Sequence, residues 1–197
     1  MLTFALAVFF LLITPGPGVM SAAGVGSAFG ARPGVHYIVG LFIGTNLVAL
    51  AVVSGLAAIV LANAEIRFVL FVASAVYLLY LAGRIALSGS RIAFIEAAKP
   101  PGLWGGLALQ AINPKAYAVN TALFSGFVFW PDSLVTETAA KFLIINGIWI
   151  PIHILWLYAG VTLRRLELPA KTQFRINLIM ALSMVVVVVL AAFASNY

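Results

Sequence analysis

Six long apolar runs fill most of the chain, at residues 2–29, 35–62, 66–87, 103–130, 139–163 and 174–194. At 1.5 Å per residue in a helix, each run can cross the ~30 Å hydrocarbon core of a bilayer. The segments between them are too short to hold a soluble domain. We therefore expect an all-α membrane protein, with one transmembrane domain over residues 1–197. Composition supports this: 64% of the 197 residues are hydrophobic and 8% are charged, against about 25% charged in soluble domains. A globule this apolar could not cover itself with polar surface, so lipid must solvate most of it. Soluble enzymes, disordered chains and secreted disulfide scaffolds are excluded. The chain has no cysteine, which removes thiol redox chemistry and thiolate metal sites.

The net charge of +6 is spread a few cations at a time between the apolar runs. Nucleic-acid binding requires cations gathered on one face, so no such partner is expected. Eight of the 11 cations fall in or at the edges of the first, third and fifth gaps: Arg32; then Arg84, Arg91 and Lys99; then Arg164, Arg165, Lys171 and Arg175. Arg67 and Lys141 belong to the even gaps. Positive charge marks the cytoplasmic side, which puts the odd gaps inside and both termini outside. A cleavable signal would need Lys or Arg ahead of its apolar core, and none precedes Arg32, so the first run is expected to remain.

Two runs are interrupted in a matching way. In the first, Pro15-Gly16-Pro17-Gly18 separates residues 2–13 from 19–29; in the fourth, Asn113-Pro114-Lys115 separates 103–112 from 116–130. Both breaks fall ~15–20 Å from a helix end, near mid-bilayer. Proline removes an amide donor and clashes with the preceding turn, which leaves carbonyls and amides unpaired. Lipid cannot satisfy them, so they should face a protein-lined or wet cavity. Runs one and four each open a set of three crossings. The expected architecture is six transmembrane helices in two inverted three-helix repeats, about 1–95 and 100–197, with helices 1 and 4 broken at mid-membrane. Interrupted helices at corresponding places in inverted halves are the sequence mark of a transporter's central site.

Lys115 lies at the second break, where a cation costs about 2.5–3.5 kcal/mol on insertion scales. Its ammonium is expected to face the cavity and meet a substrate carboxylate. The amide end of the half-helix near Val19 would favour the same anion. Asn113, Tyr117 and Asn120 share a helical face by their spacing, and Asn46 lies inside the second run. Asn146 and His153 share a face of the fifth across Pro151. The candidate substrate-binding residues are thus Pro15, Gly16, Pro17, Gly18, Asn46, Asn113, Pro114, Lys115, Tyr117 and Asn120. Asn46, Asn146 and His153 fit interhelical hydrogen bonds equally well. The spacings Gly26-Gly30-Gly34 and Gly40-Gly44 permit close helix approach, inside the chain or across a homodimer.

All five acids (Glu65, Glu96, Asp132, Glu137, Glu167) fall in gaps or at the edges of runs. A divalent cation needs several oxygen or imidazole ligands, so no metal site is expected. No phosphate loop, nucleophile elbow or HExxH motif is present, which leaves neither catalysis nor direct ATP use and no cofactor. Transport would have to run on an ion gradient or on the substrate's own gradient. A cationic side chain would find no central carboxylate, so a neutral amino acid or small derivative is favoured over a basic one. Lys115 and His153 are the candidates for carrying a proton.

The run Thr14-Pro15-Gly16-Pro17-Gly18, followed by Gly30-Ala31-Arg32-Pro33-Gly34, Gly40 to Gly44 and Tyr77-Leu78 with Gly83, resembles the N-terminal signature of the LysE/RhtB family of bacterial amino-acid exporters. Gly106 to Asn113-Pro114-Lys115-Ala116 is similar to that family's second signature, and the likeness covers roughly residues 8–130. The resemblance implies an inner-membrane exporter of amino acids or related metabolites, powered by the proton motive force as substrate/proton antiport. A passive channel for small solutes and a membrane scaffold without cargo are the competing functions. Reporter fusions near residue 95 are expected to report the cytoplasm, and fusions at the C-terminus the outside. The opposite pair of readings would refute this orientation.

Overall fold

A computed structural model describes residues 1–14, 16–55, 63–87, 99–166 and most positions from 169 to 189. These residues form helices and connecting turns, with no strand among them. In chain order the helices are α1 (Leu2–Ile13), α2 (Pro17–Phe29), α3 (Ala31–Val53), α4 (Ala64–Leu87), α5 (Gly102–Ile112), α6 (Pro114–Ser125) and α7 (Leu134–Arg165). The described positions between 171 and 189 are helical as well. By length and composition, α3 and α7 can each cross a membrane, and α1 with α2 forms a third candidate bent by 51°. That is fewer than the six crossings read from the sequence. Residues 56–62 and 190–194, which complete the second and sixth apolar runs, lie outside the described residues.

The helices are buried by stripe. Along α3, Tyr37, Leu41, Gly44, Thr45 and Val48 are buried, while Val39, Ile43, Leu47 and Leu50 are exposed. Both faces are apolar, so the exposed one suits lipid rather than water. Leu143, in the middle of α7, is 75% exposed, whereas Asn113, Asn120, Lys141 and His153 are each under 5%. This inside-out distribution of polarity is what a hydrocarbon solvent selects.

The closest packing joins α3 to α5 and α2 to α7. At the first contact, a Cβ on Gly40 would strike the Leu103 carbonyl, and one on Gly106 the Tyr37 carbonyl. At the second, Gly26 meets the Leu157 backbone and Gly160 the Ala23 carbonyl. Backbones approach closely there because no side chain intervenes. The glycine spacings are therefore used inside the chain. Gly30, the single residue between α2 and α3, has φ 87° and ψ −174°, a conformation open essentially to glycine alone.

The fourth apolar run does not stay helical to residue 130. Helix α6 ends at Ser125, and residues 126–133 fold back as a loop. Phe4 of α1 meets Phe127 and Phe129 at ring centroid separations of 5.4 and 5.6 Å. The Glu137 carboxylate accepts from the Phe129 and Trp130 amides at 2.8 and 2.6 Å. It also pairs with Lys141 at 2.7 Å, and Lys141 donates to the Phe124 and Phe127 carbonyls. Lys141 is thus not a loop cation: it is buried and neutralised within α7, and it carries no weight in the charge count for orientation. Removing one member of the pair strands the other charge against the loop backbone, which is destabilising. Glu137→Gln is expected to lower the melting temperature in detergent sharply. Glu137→Gln combined with Lys141→Met should lower it less, because no charge is stranded and the Gln oxygen can still accept from the Phe129 and Trp130 amides.

Candidate functional site

Both breaks are built alike, from an extended residue followed by a proline at the first helical position. Proline holds its predecessor out of the helical region and is pre-set to begin the next helix. In the first break that pair is Gly16-Pro17; in the second, Asn113-Pro114. Gly16, at φ −168°, has a backbone any residue could adopt. What it lacks is room: a Cβ there would lie 2.9 Å from the Lys115 Cδ and Nζ.

The backbone groups freed by the breaks find local partners. The Asn113 side chain accepts from the Lys115 amide at 3.1 Å and donates to Gln110 Oε1 at 2.8 Å. In an unbroken helix the Lys115 amide would serve the Ala111 carbonyl; here the Tyr117 hydroxyl takes that carbonyl at 2.7 Å. In the first break, the Thr14 amide and hydroxyl both donate to the Phe10 carbonyl. The carbonyl of Thr14 itself accepts from the Lys115 ammonium at 2.8 Å. This bond joins the two breaks across 101 residues of sequence.

Between them lies a cavity of about 50 Å³, room for a few waters. Thr14, Gly16, Gly18, Gln110, Asn113, Lys115, Asn120 and His153 bring polar groups or bare backbone to its wall. Leu11, Leu12, Val119, Leu123, Ile145 and Trp149 supply apolar wall, and Thr45 reaches in from α3. Among the described residues no carboxylate lines it, and no group of three or more His, Asp or Glu could hold a metal.

Of the residues singled out in the sequence, Gly16, Gly18, Asn113, Lys115, Asn120 and His153 meet at this cavity. Pro17 and Pro114 start the helices behind it without lining it. Pro15 lies outside the described residues. Tyr117 does not line the cavity; its hydroxyl is spent on the break. Asn46 is also elsewhere, in a reciprocal pair with Asn146 at 3.1 and 2.9 Å that ties α3 to α7. Gln110 was missed, although a polar residue three positions before Asn113 in an apolar run shares its helical face. Thr14 and Thr45 were missed too, because their places depend on how separate helices pack; Trp149 was missed although it lies four residues before His153 on the same helical face.

Interrupted helices enclosing a polar cavity in an apolar bundle are the architecture of a membrane transport protein. The model of the LysE type translocator family matches residues 9–195, and the chain belongs to that family. A leucine efflux protein of Enterobacter is 28% identical over 148 residues, 73% of this chain and 69% of its own length. One from Klebsiella pneumoniae is 27% identical over 132 residues, 64% of this chain and 62% of its own length. A cysteine/O-acetylserine efflux protein of Escherichia coli is 25% identical over 173 residues, 88% and 87% of the two chains. No solved structure matches the chain.

The Asn46–Asn146 pair separates packing from site. A double-mutant cycle with Asn46→Ala and Asn146→Ala is expected to give a coupling of about 0.6–1.7 kcal/mol in stability. Substrate preference should stay unchanged in either single variant.

Proposed function

We propose that this chain is a secondary active exporter of amino acids or related small metabolites across the bacterial inner membrane, coupled to protons. The observation that carries this reading is the Lys115 ammonium at the cavity wall, bridging from the second break to the Thr14 carbonyl of the first. A neutral carbonyl is a weaker partner for an ammonium than a carboxylate, because the carboxylate adds charge–charge attraction to the hydrogen bond. An incoming carboxylate would therefore take Lys115 from Thr14 and loosen the only bond described between the breaks. Binding at one point would then free two helix pairs to move relative to each other. Substrate binding is assigned to Gly16, Gly18, Asn113, Lys115 and Asn120, and proton carriage to Lys115 and His153.

A neutral amino acid is favoured because no carboxylate among the described residues lines the cavity to pair with a cationic side chain. Glu137, the buried acid, is held by Lys141 and two amides and does not line it. The efflux activities in the names of the similar proteins, for leucine and for cysteine or O-acetylserine, fit the same preference. The six-crossing topology, with inverted halves and both termini outside, belongs to this proposal. It draws support from the way each broken segment packs on a long helix of the other half, α5 on α3 and α2 on α7.

Purified protein in proteoliposomes is expected to move L-leucine faster when a pH gradient is imposed. Lys115→Gln should reduce that flux at least about tenfold, since the replacement cannot charge-pair. Flux that ignores the gradient would mark a channel instead. Full proton-coupled flux in Lys115→Gln would make the lysine structural. No flux of any amino acid, with intact folding, would favour a scaffold.

A further inference from the structure

His153 is 3% exposed, and its ring lies flat on that of Trp149, with centroids 3.5 Å apart and planes 14° from parallel. Its Nδ1 is 2.9 Å from the Trp149 carbonyl oxygen. A carbonyl can only accept, so in the neutral ring Nδ1 carries the hydrogen and Nε2 keeps a lone pair. The stacking and this bond together fix the ring's orientation and its tautomer. Nε2 makes no hydrogen bond among the described residues.

The lone pair has a definite place to act. A Cβ built on Gly18 would lie 3.3 Å from His153 Nε2 and 3.9 Å from Gln110 Oε1. All three residues line the cavity. The missing side chain of Gly18 thus keeps open a small space bordered by two acceptors. Gln110 Oε1 already accepts from Asn113, which orients it, and an amide oxygen has a second lone pair to offer. Beside Gly16, on the same wall, stands the opposite chemistry, the ammonium of Lys115.

We propose that His153 Nε2 and Gln110 Oε1 form a subsite for the protonated amino group of a substrate whose carboxylate is taken by Lys115. The inference rests on the exporter reading above and deepens it, because the site would recognise α-amino acids by both charged ends. A zwitterion supplies one charge to each end of the pocket and leaves no net charge stranded there. A carboxylic acid of the same shape without the amino group would leave His153 Nε2 without a donor and the second lone pair of Gln110 Oε1 unused. Sites built around hydrogen bonds reject such analogues strongly. Gly18 is then a specificity determinant through the room it leaves, and Trp149 is a positioning residue that holds the imidazole in the accepting tautomer.

The test compares L-leucine with 4-methylpentanoate, and L-serine with 3-hydroxypropanoate, as substrates and competitors in proteoliposomes. Each pair differs by the amino group alone. Wild type is expected to prefer the amino acid at least tenfold in kcat/KM. His153→Phe keeps an aromatic ring over Trp149 but removes both the acceptor and a proposed proton carrier, so flux of both members should fall while the preference for the amino acid falls towards one. Gly18→Ala should lower the preference in the same way with His153 intact, by placing a methyl in the subsite. The inference is overturned if wild type accepts both members of a pair equally, or if His153→Phe and Gly18→Ala slow both members by the same factor. In either case leucine or serine export would persist and the exporter reading would stand. Transport of none of the four solutes by folded wild type would overturn that reading itself.

Discussion

The bond from the Lys115 ammonium to the Thr14 carbonyl organises the centre of this molecule. It exists because two helices are interrupted at facing positions, and each interruption leaves backbone groups that lipid cannot satisfy. The first break exposes a carbonyl and the second presents a cation. Gly16 brings them together, since any side chain there would occupy the path of the lysine. The cavity, its polar lining and the meeting of distant segments depend on this contact.

Around that centre the protein uses two kinds of cement. Toward α3–α5 and α2–α7 it relies on bare glycine backbones in close approach, the packing available where lipid removes the hydrophobic force between helices. At the end where α1 meets the loop after α6, it uses Phe4, Phe127 and Phe129, with the Glu137–Lys141 pair holding the loop backbone in place. Glycine seams give close contact with little side-chain interlocking. An aromatic cluster backed by a buried ion pair resists change until its backbone bonds break.

Membrane solvation, the two breaks and the central lysine were legible in the sequence. Proline and glycine act locally: Asn113-Pro114 ends one helix and starts another whatever surrounds it. Lys115 stood out because a buried cation carries an energetic cost wherever the chain folds. Other residues were read by type alone, and their partners came from the fold. Tyr117 shares a helical face with Asn113, yet its hydroxyl serves the carbonyl that the break itself orphaned. Asn46 and Asn146 satisfy each other. Lys141 looked like a loop cation until Glu137, four residues before it, took its charge.

The sequence by itself determined what could not be avoided: an apolar chain in lipid, two helices that must break, and polar groups that must be hidden. These follow from the backbone's hydrogen-bonding demands and the cost of burying charge, and neither depends on a distant partner. The tertiary structure alone decided which polar atoms meet. Gln110 and His153 meeting at the open side of Gly18 depends on the rotation of α5, α2 and α7 against one another. That rotation is set by the sum of many small contacts between helices, and no single stretch of sequence encodes it.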